Sequence, residues 1–211
     1  MSVPSTSFRT LPFLLFTLLC FSAFSQKVNP DNQTEIVRLY WDAQKKHLSS
    51  KGAYYSDGIL GETKEKHGKW KFYDFKGVLT EERSYFRDRI HGRQRSFYKN
   101  KSIKTEAFFI FNIPDSSFKE WTEDGALSIS GNYLLGSLDG NWISSFEDGH
   151  IEKRKYISND TIYLMEQYDS DSLHSTIIEN GNGEIKKYYV SGGLKEFYTY
   201  TNGLKTGPFE E

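Results

Sequence analysis

The stretch Gly68-Lys69-Trp70-Lys71-Phe72-Tyr73-Asp74-Phe75-Lys76-Gly77-Val78-Leu79, running on through Tyr85 to His91 and Gly92, decides how this chain folds. It holds two short runs rich in aromatic and β-branched residues, each followed by a polar stretch. That is the pattern of two antiparallel strands separated by turns. The pattern then recurs every 24 residues. Gly68, Gly92 and Gly140 share one column, with Ser116 between the last two. Gly77, Gly125 and Gly149 share a second, with Lys101 as the exception, and Leu79, Ile103, Leu127 and Ile151 fill a third. A fixed period of about 20–50 residues marks an array of small repeated units.

The turns can be read from residue chemistry. Asp74-Phe75-Lys76-Gly77, Glu123-Asp124-Gly125 and Glu147-Asp148-Gly149 end in glycine, a hairpin signal because the turn needs a positive φ. Three residues past the aromatics Tyr85, Phe109, Tyr133 and Tyr200 stand Asp88, Asn112, Gly136 and Gly203. Those types enter the left-handed region most easily. The expected fold is all-β: an elongated antiparallel sheet of tandem β-hairpin repeats, about 24 residues each. Two strands per unit at ~4.8 Å give a ribbon on the order of 50–60 Å long.

Some elements stay open. Trp70 and Tyr73 are three apart, so either the strand carries a bulge or the sheet uses aromatics on both faces. In the unit from Gly140 the register is expected to slip by one, so that Tyr156 takes the aromatic place. Residues 158–182 read as a degenerate unit, after which the phase returns at Gly183. Residues 26–50 read as an N-terminal cap or degenerate repeat, with Glu35 to Leu48 either strand or a short capping helix. The repeat array proper is expected over 51–211. The chain closes on Gly207-Pro208-Phe209, the opening of another unit, so the array stops on a blunted edge strand or is truncated.

The first 25 residues read as a secretory signal peptide. Leu11 to Phe24 is apolar, Arg9 is the only charge, and Ala23 and Ser25 are the small residues of a cleavage site after Ser25. A membrane anchor would want ~20 apolar residues, more than this run supplies. Removal would take Cys20, the one cysteine, so the exported chain would hold together without a disulfide. A secreted or periplasmic location in a bacterial envelope follows.

The 211 residues are 37 % hydrophobic and 16 % aromatic, with a net charge of −1. That balance gives no basic face for nucleic acid. Lys153-Arg154-Lys155 reads as a solvated strand face. No catalytic or metal-binding spacing stands out: His67 and His91 each precede a repeat glycine and read as turn residues, and no cofactor motif occurs. The chain is expected not to be an enzyme. Trp70, Tyr85, Trp121, Tyr133 and Trp142 are the candidate binding residues, able to stack on a sugar ring or anchor a partner, with repeat packing as the plainer role.

Gly68, Trp70, Tyr73, Gly77, Leu79, Tyr85 and His91-Gly92 together resemble the MORN repeat variant found in bacterial proteins of the YwqK antitoxin type. The resemblance covers roughly residues 50–209, with a gap near 158–182. It implies a β-hairpin array used for protein–protein contact or scaffolding, and in some members for phospholipid binding. A partner protein is the leading expectation, met on a sheet face or by strand addition at an edge. A cell-surface glycan or lipid on the aromatic rows is the alternative. An antitoxin role fits poorly with an export signal.

Overall fold

The computed structural model describes residues 32–56, 62–170 and 176–207. The expected signal peptide and its cleavage site lie outside the described residues. Among the described residues fifteen strands follow one another: β1 (Val37–Tyr40), β2 (Leu48–Ser56), β3 (Glu62–Tyr73), β4 (Leu79–Phe86), β5 (Arg89–Phe97), β6 (Ile103–Ile110), β7 (Ile113–Trp121) and β8 (Leu127–Leu134). They continue as β9 (Ser137–Ser145), β10 (Ile151–Ser158), β11 (Thr161–Tyr168), β12 (Thr176–Glu179), β13 (Asn182–Tyr188), β14 (Leu194–Thr201) and β15 (Leu204–Lys205). All lie in one antiparallel sheet in sequence order, each hydrogen-bonded to its neighbour. The N-terminal segment is strand: β1 pairs with β2 from Val37↔Gly52 to Tyr40↔Leu48, where a short helix was the other expectation.

Two kinds of turn alternate along the two long edges of the sheet. On one edge five hairpins share a bond pattern, as in Gly77 N–H donating to the Asp74 carbonyl at 3.0 Å and Asp74 N–H to the Val78 carbonyl at 2.9 Å. Only the fourth residue is left-handed: Gly77, Lys101, Gly125, Gly149 and Gly192, with φ between 73° and 91°. This is a type I turn closed by a glycine bulge, so the Asp of each Asp-Gly pair needs no positive φ. Lys101 adopts φ 73° with a side chain that resists it. Non-glycine residues lose on the order of 1 kcal/mol there. Lys101→Gly is expected to raise stability by about that amount in urea denaturation, and an unchanged midpoint would refute it.

On the opposite edge the turns have two central residues, both left-handed: Arg87-Asp88, Phe111-Asn112, Leu135-Gly136, Asn159-Asp160, Asn180-Gly181 and Asn202-Gly203. These are type I′ turns, whose twist matches that of the strands they join. Asp88, Asn112, Gly136 and Gly203 sit where the sequence places them. The turns also lock to the preceding unit. Asp88 N–H donates to the Lys66 carbonyl at 2.9 Å, and the Asp88 carboxylate accepts Lys66 N–H at 2.7 Å. Asn112 repeats this with Ile90 at 2.8 and 2.7 Å.

The first glycine column lies apart from both kinds of turn. Gly68, Gly92, Ser116 and Gly140 are not turn residues: they lie inside strands with φ of 70°, 95°, 65° and 64°. Each opens a bulge. Lys51 pairs with Lys71 and Ala53 with His67, so Gly52 alone faces the three residues 68–70. In the same way Gly131 alone faces residues 140–142, between the pairs Ser130↔Ile143 and Asn132↔Asp139. A bulge every 24 residues re-aims the strand and increases its twist. The register shift between Phe72 and Tyr73 puts its extra residue, Thr80, on β4, so β3 runs evenly from Trp70 to Tyr73 and carries aromatics on both faces: Phe72 stacks with Trp70 at 6.3 Å, and Lys51, the partner of Lys71, lies over Tyr73 at 5.9 Å.

The expected slip near Tyr156 does not occur. Ile157 pairs with Gly140 as Tyr85 pairs with Gly68, and it is 4 % exposed, whereas Tyr156 is 44 % exposed. An aliphatic side chain fills the aromatic's place because what the column requires is burial. Residues 158–182 likewise contain regular parts, the type I′ turns at Asn159-Asp160 and Asn180-Gly181. The irregularity lies in how the strands close up. Gly181 N–H donates to the Met165 carbonyl at 2.7 Å, Gly203 N–H to the Gly181 carbonyl at 2.8 Å, and Leu164 N–H to the Gly203 carbonyl at 2.8 Å. Two turns are thereby drawn against β11, and the sheet curls at this end.

His67 and His91 lie in strands and are buried, which corrects their reading as turn residues. They belong to an aromatic ladder with Tyr55, Phe86 and Phe111. Ring centroids are 5.3 Å apart for Tyr55–His67, 5.2 Å for His67–Phe86 and 4.6 Å for His91–Phe111. Arg87 and Arg89 cover its two ends, 4.6 Å from Tyr55 and 4.4 Å from Phe111.

Candidate functional site

The bulge sets the site geometry, because the residue two past the bulge glycine folds across the facing strand. At Gly68 that residue is Trp70, and at Gly140 it is Trp142. Each indole lies on a glycine: a Cβ on Gly52 would stand 2.3 Å from the Trp70 ring, and one on Gly131 would stand 2.2 Å from the Trp142 ring. Each indole N–H donates to a carbonyl of the strand beneath, Ala53 at 2.8 Å and Asn132 at 3.0 Å.

The five candidate residues divide into three groups. Trp70 is fully buried and Tyr85 is 6 % exposed, with Phe72 between them, so these two are packing residues with no free ring face. Trp121 ends β7 beyond the bulge, where its carbonyl accepts the Tyr98 hydroxyl at 2.8 Å. Tyr133 and Trp142 come together with Phe118. Phe118 and Trp142 stack at 5.8 Å and 25°, and Tyr133 stands at 85–90° to both.

Over this second cluster lies a hollow of about 370 Å³, lined by Phe118, Glu120, Ile129, Trp142, Lys153 and Lys155, with Ser144 at its side. Its volume lies within the usual range of small-ligand sites. Lys153-Arg154-Lys155 is divided by the strand alternation. Lys155 pairs with Trp142 and Lys153 with Ser144, on the hollow's face, while Arg154 points to the other face and bonds Glu166 at 3.1 Å. The two-residue period of that tripeptide was the available signal. Phe118, Glu120 and Ile129 gave none, because they reach the hollow only through strand pairing.

The opposite face is a charged row. A smaller cavity of about 150 Å³ there is lined by Lys69, Lys71, Glu82, Arg93 and Arg95 among others. Its cations are largely engaged, since Lys71 bonds Glu82 at 2.7 Å and Arg95 bonds Glu106 at 2.6 Å. The Glu82 bond is the main reason that the Lys71 ammonium holds its proton above the ordinary lysine range. Such half-exposed pairs contribute little net stability each.

Among the described residues no three His, Cys, Asp or Glu side chains converge. Among them also, no helix is long and apolar enough to cross a membrane. No protein-family model and no curated protein sequence matches this chain.

Proposed function

We propose that this chain is a non-catalytic β-repeat protein, exported from the cytoplasm, whose sheet serves as a surface for binding or scaffolding another protein. The observation that carries this reading is an apolar hairpin tip. Ile113, Leu134, Leu135 and Leu138 are all exposed around one type I′ turn, Leu135 at 72 %. Clustered exposed aliphatics on a soluble surface mark contact sites. Leu135 is also a poor conformational choice. It is left-handed at φ 49°, as are Arg87 and Phe111 at the same place in the earlier turns, but those two pack on the aromatic ladder while Leu135 stands in solvent, and the later turns carry Asn159, Asn180 and Asn202. The residue type therefore serves something other than the turn. The resemblance to MORN-type repeats supports the same reading.

Leu135→Asn tests it, since asparagine tolerates the left-handed region. The variant is expected to be as stable as the parent or slightly more so, and to lose a stoichiometric partner recovered by crosslinking in extracts of the native host's envelope. The same crosslinked partner at the same yield would overturn the reading.

A further inference from the structure

We propose that the hollow over Trp142 is a binding site for a carboxylated sugar residue of a saccharide. The argument rests on the two tryptophans, because the repeat builds the same device twice and closes only one copy. Both indoles lie on a glycine and donate to the strand beneath, and the residues across the next strand correspond position by position. Trp70 pairs with Arg83 and Phe72 with Glu81, whereas Trp142 pairs with Lys155 and Ser144 with Lys153.

At Trp70 these residues form a lid together with Lys66, whose ammonium stands 5.4 Å over the indole ring. Arg83 Nε donates to Glu81 at 2.6 Å, and the guanidinium lies 5.2 Å from the Phe72 ring. Burial works against the charge on Arg83, but its hydrogen bonds to Tyr85 and Glu81 outweigh that and hold its pKa above the ordinary value. The indole beneath has no exposure left. At Trp142 the lid is dismantled by substitution. The phenyl ring becomes Ser144, and the Glu–Arg pair becomes two lysines that repel each other. The hollow of about 370 Å³ is what remains.

Its polar groups are placed for a particular chemistry. Glu120 and Lys155 are half-buried, and among the described residues neither makes an ion pair or a side-chain hydrogen bond. A half-buried charge without a partner is costly, so the site is built to receive one. Lys153 is partly satisfied by Glu152 at 4.0 Å, and Ser144 donates to Glu152 at 3.0 Å. Lys155 is therefore the principal cation.

A sugar ring laid on Trp142 would present its C–H face to the indole and Phe118. Its carboxylate would meet Lys155, with Lys153 in support, and its hydroxyls would donate to Glu120. Aromatic rings have the amphipathic character such stacking needs. A neutral sugar would leave Lys155 unpaired, and a simple anion would leave the aromatic floor uncovered.

The test is a titration of the purified exported chain, residues 26–211, by calorimetry and tryptophan fluorescence. The probes are a galacturonic acid tetrasaccharide, a hyaluronan tetrasaccharide, sialyllactose and a disaccharide containing N-acetylmuramic acid. The methyl ester of the galacturonate and lactose serve as neutral controls. At least one acidic probe is expected to bind, and at least tenfold more tightly than its neutral counterpart. Lys155→Glu should weaken it by at least tenfold and Glu120→Gln by a smaller factor. Neither substitution removes an ion pair or side-chain hydrogen bond among the described residues, and circular dichroism of each variant checks that the fold is retained. Arg93→Glu, on the opposite face, should bind as the parent does. The proposal fails if no acidic probe binds at millimolar concentration, if the neutral controls bind equally, or if Lys155→Glu leaves the affinity unchanged. The Leu135 tip is untouched by these variants, so failure here leaves the protein-contact reading standing.

Discussion

Trp70→Ala is expected to destabilise the protein by about 3–5 kcal/mol, the usual range for removing a fully buried tryptophan. Trp70 is the largest side chain with no exposure, in a sheet with few buried hydrophobic residues. The indole covers Gly52, touches Tyr54 at 5.4 Å and Phe72 at 6.3 Å, and has the Lys66 ammonium over it at 5.4 Å, with the Arg83–Glu81 pair over the neighbouring Phe72. Its removal opens a cavity that Gly52 has no side chain to fill. It also strips the Ala53 carbonyl of its indole donor. Trp142→Ala supplies the control, because the same device there is open to solvent and less contact is lost. Urea denaturation of both variants measures the difference. Equal losses, or a loss below about 1 kcal/mol at Trp70, would refute the distinction between the closed and open copies.

The second large effect is expected at the curled end. Gly181 has φ 79°, and a Cβ on it would stand 2.4 Å from the Gly203 nitrogen and 2.9 Å from the Asn202 carbonyl carbon. Both neighbours are backbone, so no side chain can rotate away. Gly181→Ala combines left-handed strain with overpacking, together about 3 kcal/mol. It should also break the bonds that tie this turn to Met165 and Gly203. Repeat arrays open locally, so β12 to β15 should detach while the earlier strands stay folded. The tryptophans at 41, 70, 121 and 142 all precede this region. Their fluorescence should remain native while residues 176–207 become sensitive to protease. Unchanged protease resistance of that segment would show that the turn does not hold the end of the sheet.

The two edges of the sheet explain why so much of the fold can be read from the chain. A left-handed φ is a local demand, met by Gly, Asn or Asp, so a column of those residues announces a turn wherever it occurs. Asp88, Asn112, Gly136 and Gly203 are read correctly for that reason. The same reasoning cannot separate a turn from a bulge, because both need the same φ. Gly68 and Gly140 were therefore legible as special residues and illegible as bulges. Tyr156 shows a further limit: residue type suggested the aromatic column, but burial selected Ile157.

Of the candidate site, Tyr133 and Trp142 were visible as recurring aromatics. Their separation from Trp70 and Tyr85 was not. Whether an indole is covered depends on residues one strand away in the sheet and 13 positions away in the chain, Arg83 in one unit and Lys155 three units on. The sequence by itself determined the period, the turns and the all-β class, because these follow from backbone preferences that act within a few residues. Only the tertiary structure decided which tryptophan is packing and which floors a hollow. That difference is made by cross-strand neighbours, and pairing alone brings them together.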